Sequence, residues 1–200
     1  MSHAFFSYMY RLRYIERWSL MRKIVRENVA EHSFHVALLT HALAAIGNEI
    51  YGKQVPIDRL VSRALFHDAT ETFTGDIPTP VKHHNPQILS SFREIERLAA
   101  ERLAGMVPEP LRPVYEPLLA SKYADDEHAK YIKAADLLDA YLKCDAEVSA
   151  GNREFAVARE QTLRQLRKLD MPEVDYFLRH LAPGFEKTLD ELSISSETAD

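Results

Sequence analysis

Apolar residues recur along this chain mainly at spacings of three and four, the period of an amphipathic helix. The first such segment, about 4–15, is aromatic and apolar, with Arg11 and Arg13 near its end, where cations suit a helix C-terminus. Glu16-Arg17-Trp18-Ser19 has no period and reads as a connection. Asn28 opens a long helix: asparagine is a good N-cap, and Glu31 follows in capping-box position. Val29, Phe34 or Val36, Leu38, Leu39, Ala42, Ala45 and Ile46 keep helical spacing, and Gly52 is a natural stop. Pro56 or Asp58 starts the next helix, with Leu60, Val61, Ala64 and Leu65 on one side, running into His67-Asp68 and Glu71. The stretch Gly75-Asp76-Ile77-Pro78-Thr79-Pro80 is expected to be a loop, since prolines break a helix interior. Asn85-Pro86 caps a helix reaching about Met106, and four prolines leave room only for short turns over 107–117. Asp125 is expected to cap a long helix ending at Gly151. Further helices are expected over about 154–169 and 172–181, and a short one to about Leu192.

The pattern predicts an all-α fold, and composition agrees. Only 6 of 200 residues are glycine, too few for a chain of hairpins and glycine loops. No Gly-x-Gly-x-x-Gly and no phosphate-binding Gly-Lys-Ser/Thr loop occurs. One domain is expected over 1–192, with a polar, frayed tail over 193–200. The net charge of −5 argues against a nucleic-acid polymer as partner, which would call for a basic face. The longest apolar run, 36–46, is too short to cross a membrane and is broken by Thr40 and His41. Polar residues interrupt the N-terminus, so no signal peptide is expected. The single cysteine, Cys144, excludes an intramolecular disulfide framework, and a cytoplasmic protein is the expectation.

Most of the histidines have an uninformative setting: His3, His83, His84, His128 and His180 lie in terminal, loop or helix-end contexts, and His41 reads as a core or boundary residue. His67-Asp68 differs. If the helix continues through it, Glu71 shares its side, and an imidazole beside carboxylates suits a divalent transition metal. Glu71 could then serve a bound water as acid or base. His32 opens the capped helix upstream. Downstream, Asp136 sits in an Ala-Ala-Asp-Leu-Leu run that calls for at least partial burial, and therefore for a partner, either a cation from another helix or a metal. Asp139 lies on nearly the same run, and spacing does not choose between the two.

His…His-Asp…Asp in this order on helices resembles the HD-domain metal-dependent phosphohydrolases. Further stretches look like the bacterial 5′-deoxynucleotidases of that superfamily: Glu16-Arg17-Trp18, Leu20-Met21-Arg22, Glu27-Asn28-Val29 with Glu31-His32-Ser33, His67-Asp68-Ala69 with Glu71, the 74–82 loop, Met106-Val107-Pro108-Glu109, Ala140-Tyr141-Leu142-Lys143-Cys144 and Ala150-Gly151-Asn152. The resemblance runs from about Phe5 to the penultimate helix. It implies a single-domain HD-type helical bundle that hydrolyses deoxyribonucleoside 5′-monophosphates with one divalent metal ion, cobalt or manganese first, and that acts as a homodimer. It implies metal ligation by His32, His67, Asp68 and Asp136. Catalytic roles fall to Glu71, Arg17 and Asp76. Substrate contacts fall to Arg17, Trp18, His32, His67, Asp76, Ile77, Pro78, Thr79 and Asp136.

Arg17 suits a phosphate dianion because a guanidinium matches its oxygens in a fork. Without the resemblance it would read as a surface arginine, and Trp18 as core. Two other functions compete. One keeps the site and changes the substrate to a nucleoside triphosphate or cyclic dinucleotide. The other is an HD domain that binds a nucleotide as a sensor, against which the complete ligand set with Glu71 counts.

Overall fold

The computed structural model describes residues 3–82, 84–119 and 127–197. His83 and the Asp125 cap expected from the sequence lie outside them. All the described regular elements are helical, and the all-α expectation holds. The only pairing of extended segments among them is an isolated antiparallel bridge between Glu16 and Asn28.

The chain opens with α1 (Phe5–Met9) and a 3₁₀ turn (Tyr10–Tyr14). The long helix α2 (Val29–Tyr51) starts where the sequence predicts. The Asn28 side chain accepts from the backbone N–H of Ala30 and Glu31, while the Glu31 carboxylate accepts from the backbone N–H of Asn28. Gly52 ends it in a left-handed conformation (φ 64°). Val29, His32, Ser33, Val36, Ala37, Thr40, Leu43, Ala44 and Gly47 are buried on α2 at the spacing of one helix face. Of the two residues offered for that face, Val36 is in the core and Phe34 is 60% exposed. Leu38 and His41 also face outward, so His41 is not the core or boundary residue expected. A periodic pattern broad enough to cover both sides of a helix leaves its phase open.

α2 packs against α3 (Ile57–Leu65), α8 (Ala129–Ser149) and α10 (Pro172–His180), and α9 (Ala156–Lys168) lies on α8. These helices enclose the main core around Val36, Leu43, Leu60, Tyr131, Leu138, Leu166 and Phe177. Gly47 lets α10 approach: a Cβ there would stand 3.1 Å from both the Glu173 carboxylate and the Tyr131 hydroxyl. A second core joins Phe5 of α1, Ala69 of the turns after α3, Leu103 of α6 (Pro86–Gly105), Val107 just after it and Leu119 of α7 (Arg112–Leu119).

Four local expectations are corrected. Helix α3 stops at Leu65, and residues 66–70 form successive turns before α4 (Glu71–Thr74), so His67, Asp68 and Glu71 do not share one continuous helix. The 75–80 loop lasts only to Pro78, and Thr79 opens α5 (Thr79–Lys82), where Pro80 sits in the first turn and breaks no bond. The proline-rich stretch holds a 3₁₀ turn (Glu109–Leu111) and then the two-turn helix α7, which tolerates Pro117 in its interior. At the C-terminal end, α11 spans Leu189–Glu197, past the limit drawn at Leu192.

Candidate active site

His32 continues the buried stripe of α2 at its N-terminal end, so the periodicity that builds the core also carries an imidazole into it. The ring is fully buried. Its Nδ1 lies 2.7 Å from Asp139 Oδ2, and a carboxylate there makes Nδ1–H the donor, leaving the Nε2 lone pair free. His67 is fixed the same way: its Nδ1–H donates to the carbonyl of Ala64 at 2.7 Å, an oxygen that can only accept. The two Nε2 atoms then face one another at 3.2 Å. Asp68 Oδ2 stands 3.0 Å from His67 Nε2 and 3.5 Å from His32 Nε2, and Asp136 Oδ1 reaches His32 Nε2 at 3.3 Å.

Two Nε2 atoms facing one another beside carboxylates call for a proton or a metal cation between them. Donors bound to one ion at about 2.1 Å stand roughly 3.0–3.4 Å from one another, which matches these separations. His32, His67 and Asp68 offer their donor atoms within 4.8 Å of one another. The residues therefore fit a divalent metal.

The two aspartates that spacing left open stand on opposite sides of the His32 ring. Asp136 touches the Nε2 side of His32, where the donors converge, and its side chain is 44% exposed. Asp139 is the buried carboxylate, on the Nδ1 side, where it orients the ring. It also lies 3.3 Å from Arg17 Nη1 and 3.5 Å from His35 Nδ1. Burial pushes the Asp139 carboxyl up, but hydrogen bonds from His32 and His35 and the charge of Arg17 more than offset this and hold it well below the usual range.

Arg17 lies between these carboxylates and Glu27, whose Oε1 is 2.6 Å from Arg17 Nη1. Burial alone would weaken its charge, and Glu27, Asp136, Asp139 and Asp68 more than offset that. Trp18 donates through Nε1 to the other Glu27 oxygen at 3.1 Å, and its ring meets Phe155 edge to face. Sequence reasoning gave Glu27 no role beyond its place in a motif and passed over His35, although His35 lies one turn beyond His32.

Glu71 is buried at the start of α4, 3.8 Å from Lys82 Nζ, which also faces Glu96 at 3.4 Å. Asp76, Ile77 and Pro78 are half-buried in the irregular segment that follows. Thr79 leads into α5, with its side chain outside the described set.

The chain is similar to known proteins over most of its length. Residues 4–185 match the family model described as 5′-deoxynucleotidase YfbR-like. A 5′-deoxynucleotidase of Klebsiella pneumoniae is 45% identical over 192 residues, 96% of each chain. One from Vibrio vulnificus is 44% identical over 94% of this chain and 97% of its own. Among solved structures, an HD-domain phosphohydrolase from Listeria innocua superposes with a TM-score of 0.79 at 26% identity over 99% of both chains. A cyanophage S-2L HD phosphohydrolase bound to dA and one catalytic Zn2+ ion shares the fold, with a TM-score of 0.64 at 24% identity over 91% of this chain and 96% of that one. The chain is a phosphoric monoester hydrolase of HD-type helical fold and belongs to the YfbR-like 5′-deoxynucleotidase family.

Proposed function

We propose that His32, His67, Asp68 and Asp136 hold one divalent metal ion, beside which Arg17, Glu71 and the segment from Asp76 to Thr79 process deoxyribonucleoside 5′-monophosphates to deoxyribonucleoside and phosphate. The observation that carries this reading is the pair of Nε2 lone pairs facing at 3.2 Å, each committed by the hydrogen bond at its own Nδ1. A bound divalent metal supplies an acidified water and draws charge from a phosphoryl oxygen. Cobalt or manganese is our first choice; mixed imidazole and carboxylate sites accept several metals, and the cyanophage neighbour carries zinc.

Four carboxylates, Glu27, Asp68, Asp136 and Asp139, surround a single guanidinium, so a dianionic phosphate entering here depends on Arg17 as well as on the metal. Both ion pairs of Arg17 use Nη1, which leaves Nη2 and Nε as a fork for phosphate oxygens. Glu71 takes the proton of the attacking water or gives one to the departing 5′-oxygen. Lys82 Nζ faces its carboxylate at 3.8 Å. Trp18 forms a wall against the sugar. Asp76, Ile77, Pro78 and Thr79 close the nucleoside side, with Asp76 at the reacting end. Rejecting a 2′-hydroxyl calls for steric exclusion, since an apolar pocket alone rejects an added hydroxyl only about a hundredfold.

We place the enzyme in the cytoplasm as a homodimer that acts on free nucleotides. Its one cysteine, Cys144, is a buried thiol that burial pushes up to about 12, as suits a chain that forms no disulfide. Among the described residues no helix is long and apolar enough to cross a membrane.

Metal-stripped protein refilled with Co, Mn, Mg or Zn should release phosphate from dAMP, and much less from AMP or 3′-dAMP. Inactivity with every metal would overturn the enzymatic reading. Equal rates on dAMP and AMP would remove the sugar preference.

A further inference from the structure

Glu27 stands where three demands meet. It is a carboxylate only 8% exposed, so it needs partners, and its two oxygens are divided between neighbours in sequence that have different tasks. Oε1 accepts from Arg17 at 2.6 Å and Oε2 accepts from Trp18 Nε1 at 3.1 Å.

The backbone shows that this arrangement is imposed. Trp18 has φ +56°, a left-handed conformation that a bulky side chain adopts only at a cost. The surrounding bonds meet that cost. Arg17 N–H donates to the Glu27 carbonyl at 3.0 Å, and Lys23 Nζ donates to the Arg17 carbonyl at 2.7 Å. Met21 N–H donates to the Trp18 carbonyl at 3.0 Å. Glu27 thus clamps the Arg17–Trp18 pair through both its main chain and its side chain.

We infer that Glu27 is a positioning residue that sets substrate selectivity, its one carboxylate locking the phosphate-facing arginine and the sugar-facing tryptophan into a single arrangement. This rests on the roles given above to Arg17 and Trp18. With Arg17 Nη1 held by Glu27, phosphate binds the remaining fork, and the distance from that fork to the Trp18 ring becomes fixed. A 5′-phosphate seated on the fork then brings the sugar against the indole at one depth, and an added 2′-hydroxyl has no room to shift. Losing the clamp frees the indole to retreat, so the ribonucleotide gains relative to the deoxyribonucleotide.

The test uses the metal-loaded enzyme and its Glu27→Gln variant. Trp18 is the only tryptophan, so its emission reports this site directly. Nucleosides, which are not turned over, are titrated against that emission: deoxyadenosine and then adenosine. KM and kcat are measured on dAMP and AMP, and metal content is measured on the same samples. Glu27→Gln is expected to shift the emission of the free enzyme and to raise KM for dAMP about tenfold or more, the scale of a lost charge-assisted bond. The dAMP-to-AMP ratio of kcat/KM is expected to fall several-fold at unchanged metal content. A variant with lowered melting temperature and lowered kcat, but with the wild-type ratio and emission, would show a structural role only and overturn the inference. Should Glu27→Gln not fold, Glu27→Asp, which keeps the charge and shortens the reach, must move the same ratio. Arg17→Ala and Trp18→Ala separate the two levels. If both change KM or the ratio and Glu27→Gln does not, the inference alone falls. If neither changes them, the reading of the site falls with it.

Discussion

A single hydrogen bond decides what each histidine of the centre does. Asp139 holds His32 by Nδ1, which leaves Nε2 as the ring atom facing the donors gathered there. Asp139→Asn is therefore expected to weaken metal binding about 10- to 100-fold, read by competition with a chelator of known affinity. Full retention of affinity would show that the ring is oriented by packing alone. Glu71 is predicted to differ: on the acid/base role proposed for it, Glu71→Gln should lower kcat about a hundredfold or more with metal affinity unchanged. Wild-type turnover would remove its acid/base role. The sequence displayed His32, His67 and Asp68 openly. It could not separate Asp136 from Asp139, because three residues on a helix place both near one face, and only the rotation of α8 against α2 says which one meets Nε2. Glu27 was hidden for a related reason: its partners are nine and ten residues away across a strandless connection with no period to read.

At the scale of elements, the connection over 15–28 has little regular structure and is held by α8. The buried Glu147 accepts the backbone N–H groups of Ile24 and Val25, together with Lys143 Nζ and Asn152 Nδ2. Burial pushes its carboxyl up, but these donors outweigh it, Lys143 first, and lower it to about 2. A carboxyl held below its ordinary value favours the folded state while ionised. Its contribution is therefore complete above the usual carboxylate range and is lost as pH falls through about 2, with a size of about 3 kcal/mol. Glu147→Gln should lower stability at neutral pH and flatten the acid limb of the melting profile between about pH 4.5 and 2. A variant as stable as wild type at pH 7 would show that the connection is held by other contacts. The turns over 66–70 are the counterpart on the other side of the site. A continuous helix through His67 was a fair reading of the apolar spacing, but Ala64 and Ala69 belong to different cores, and the chain has to turn between them.

For the whole molecule, the centre joins elements far apart in sequence: α2, the turns after α3, and α8. A metal bound only by the assembled set stabilises the folded state by mass action, about 2.7 kcal/mol when the ion is at a hundred times its dissociation constant. Chelation should therefore lower the melting temperature of the wild-type protein and leave that of Asp136→Asn nearly unchanged, as read by calorimetry with and without added metal. An equal response in both would place the stabilising ion elsewhere. The same assembly divides what was readable in the chain from what was not. Helical periodicity, the Asn28 capping box and the Gly52 stop are local properties, set by side-chain chemistry within a few turns, and the sequence by itself determined them. The phase of α2, the break at His67, the placement of Asp136 and Asp139 on opposite sides of His32, and the hydrogen bonds of Glu27 depend on how helices rotate and dock against one another. Packing energy summed over the two cores sets those rotations, and only the tertiary structure decided them.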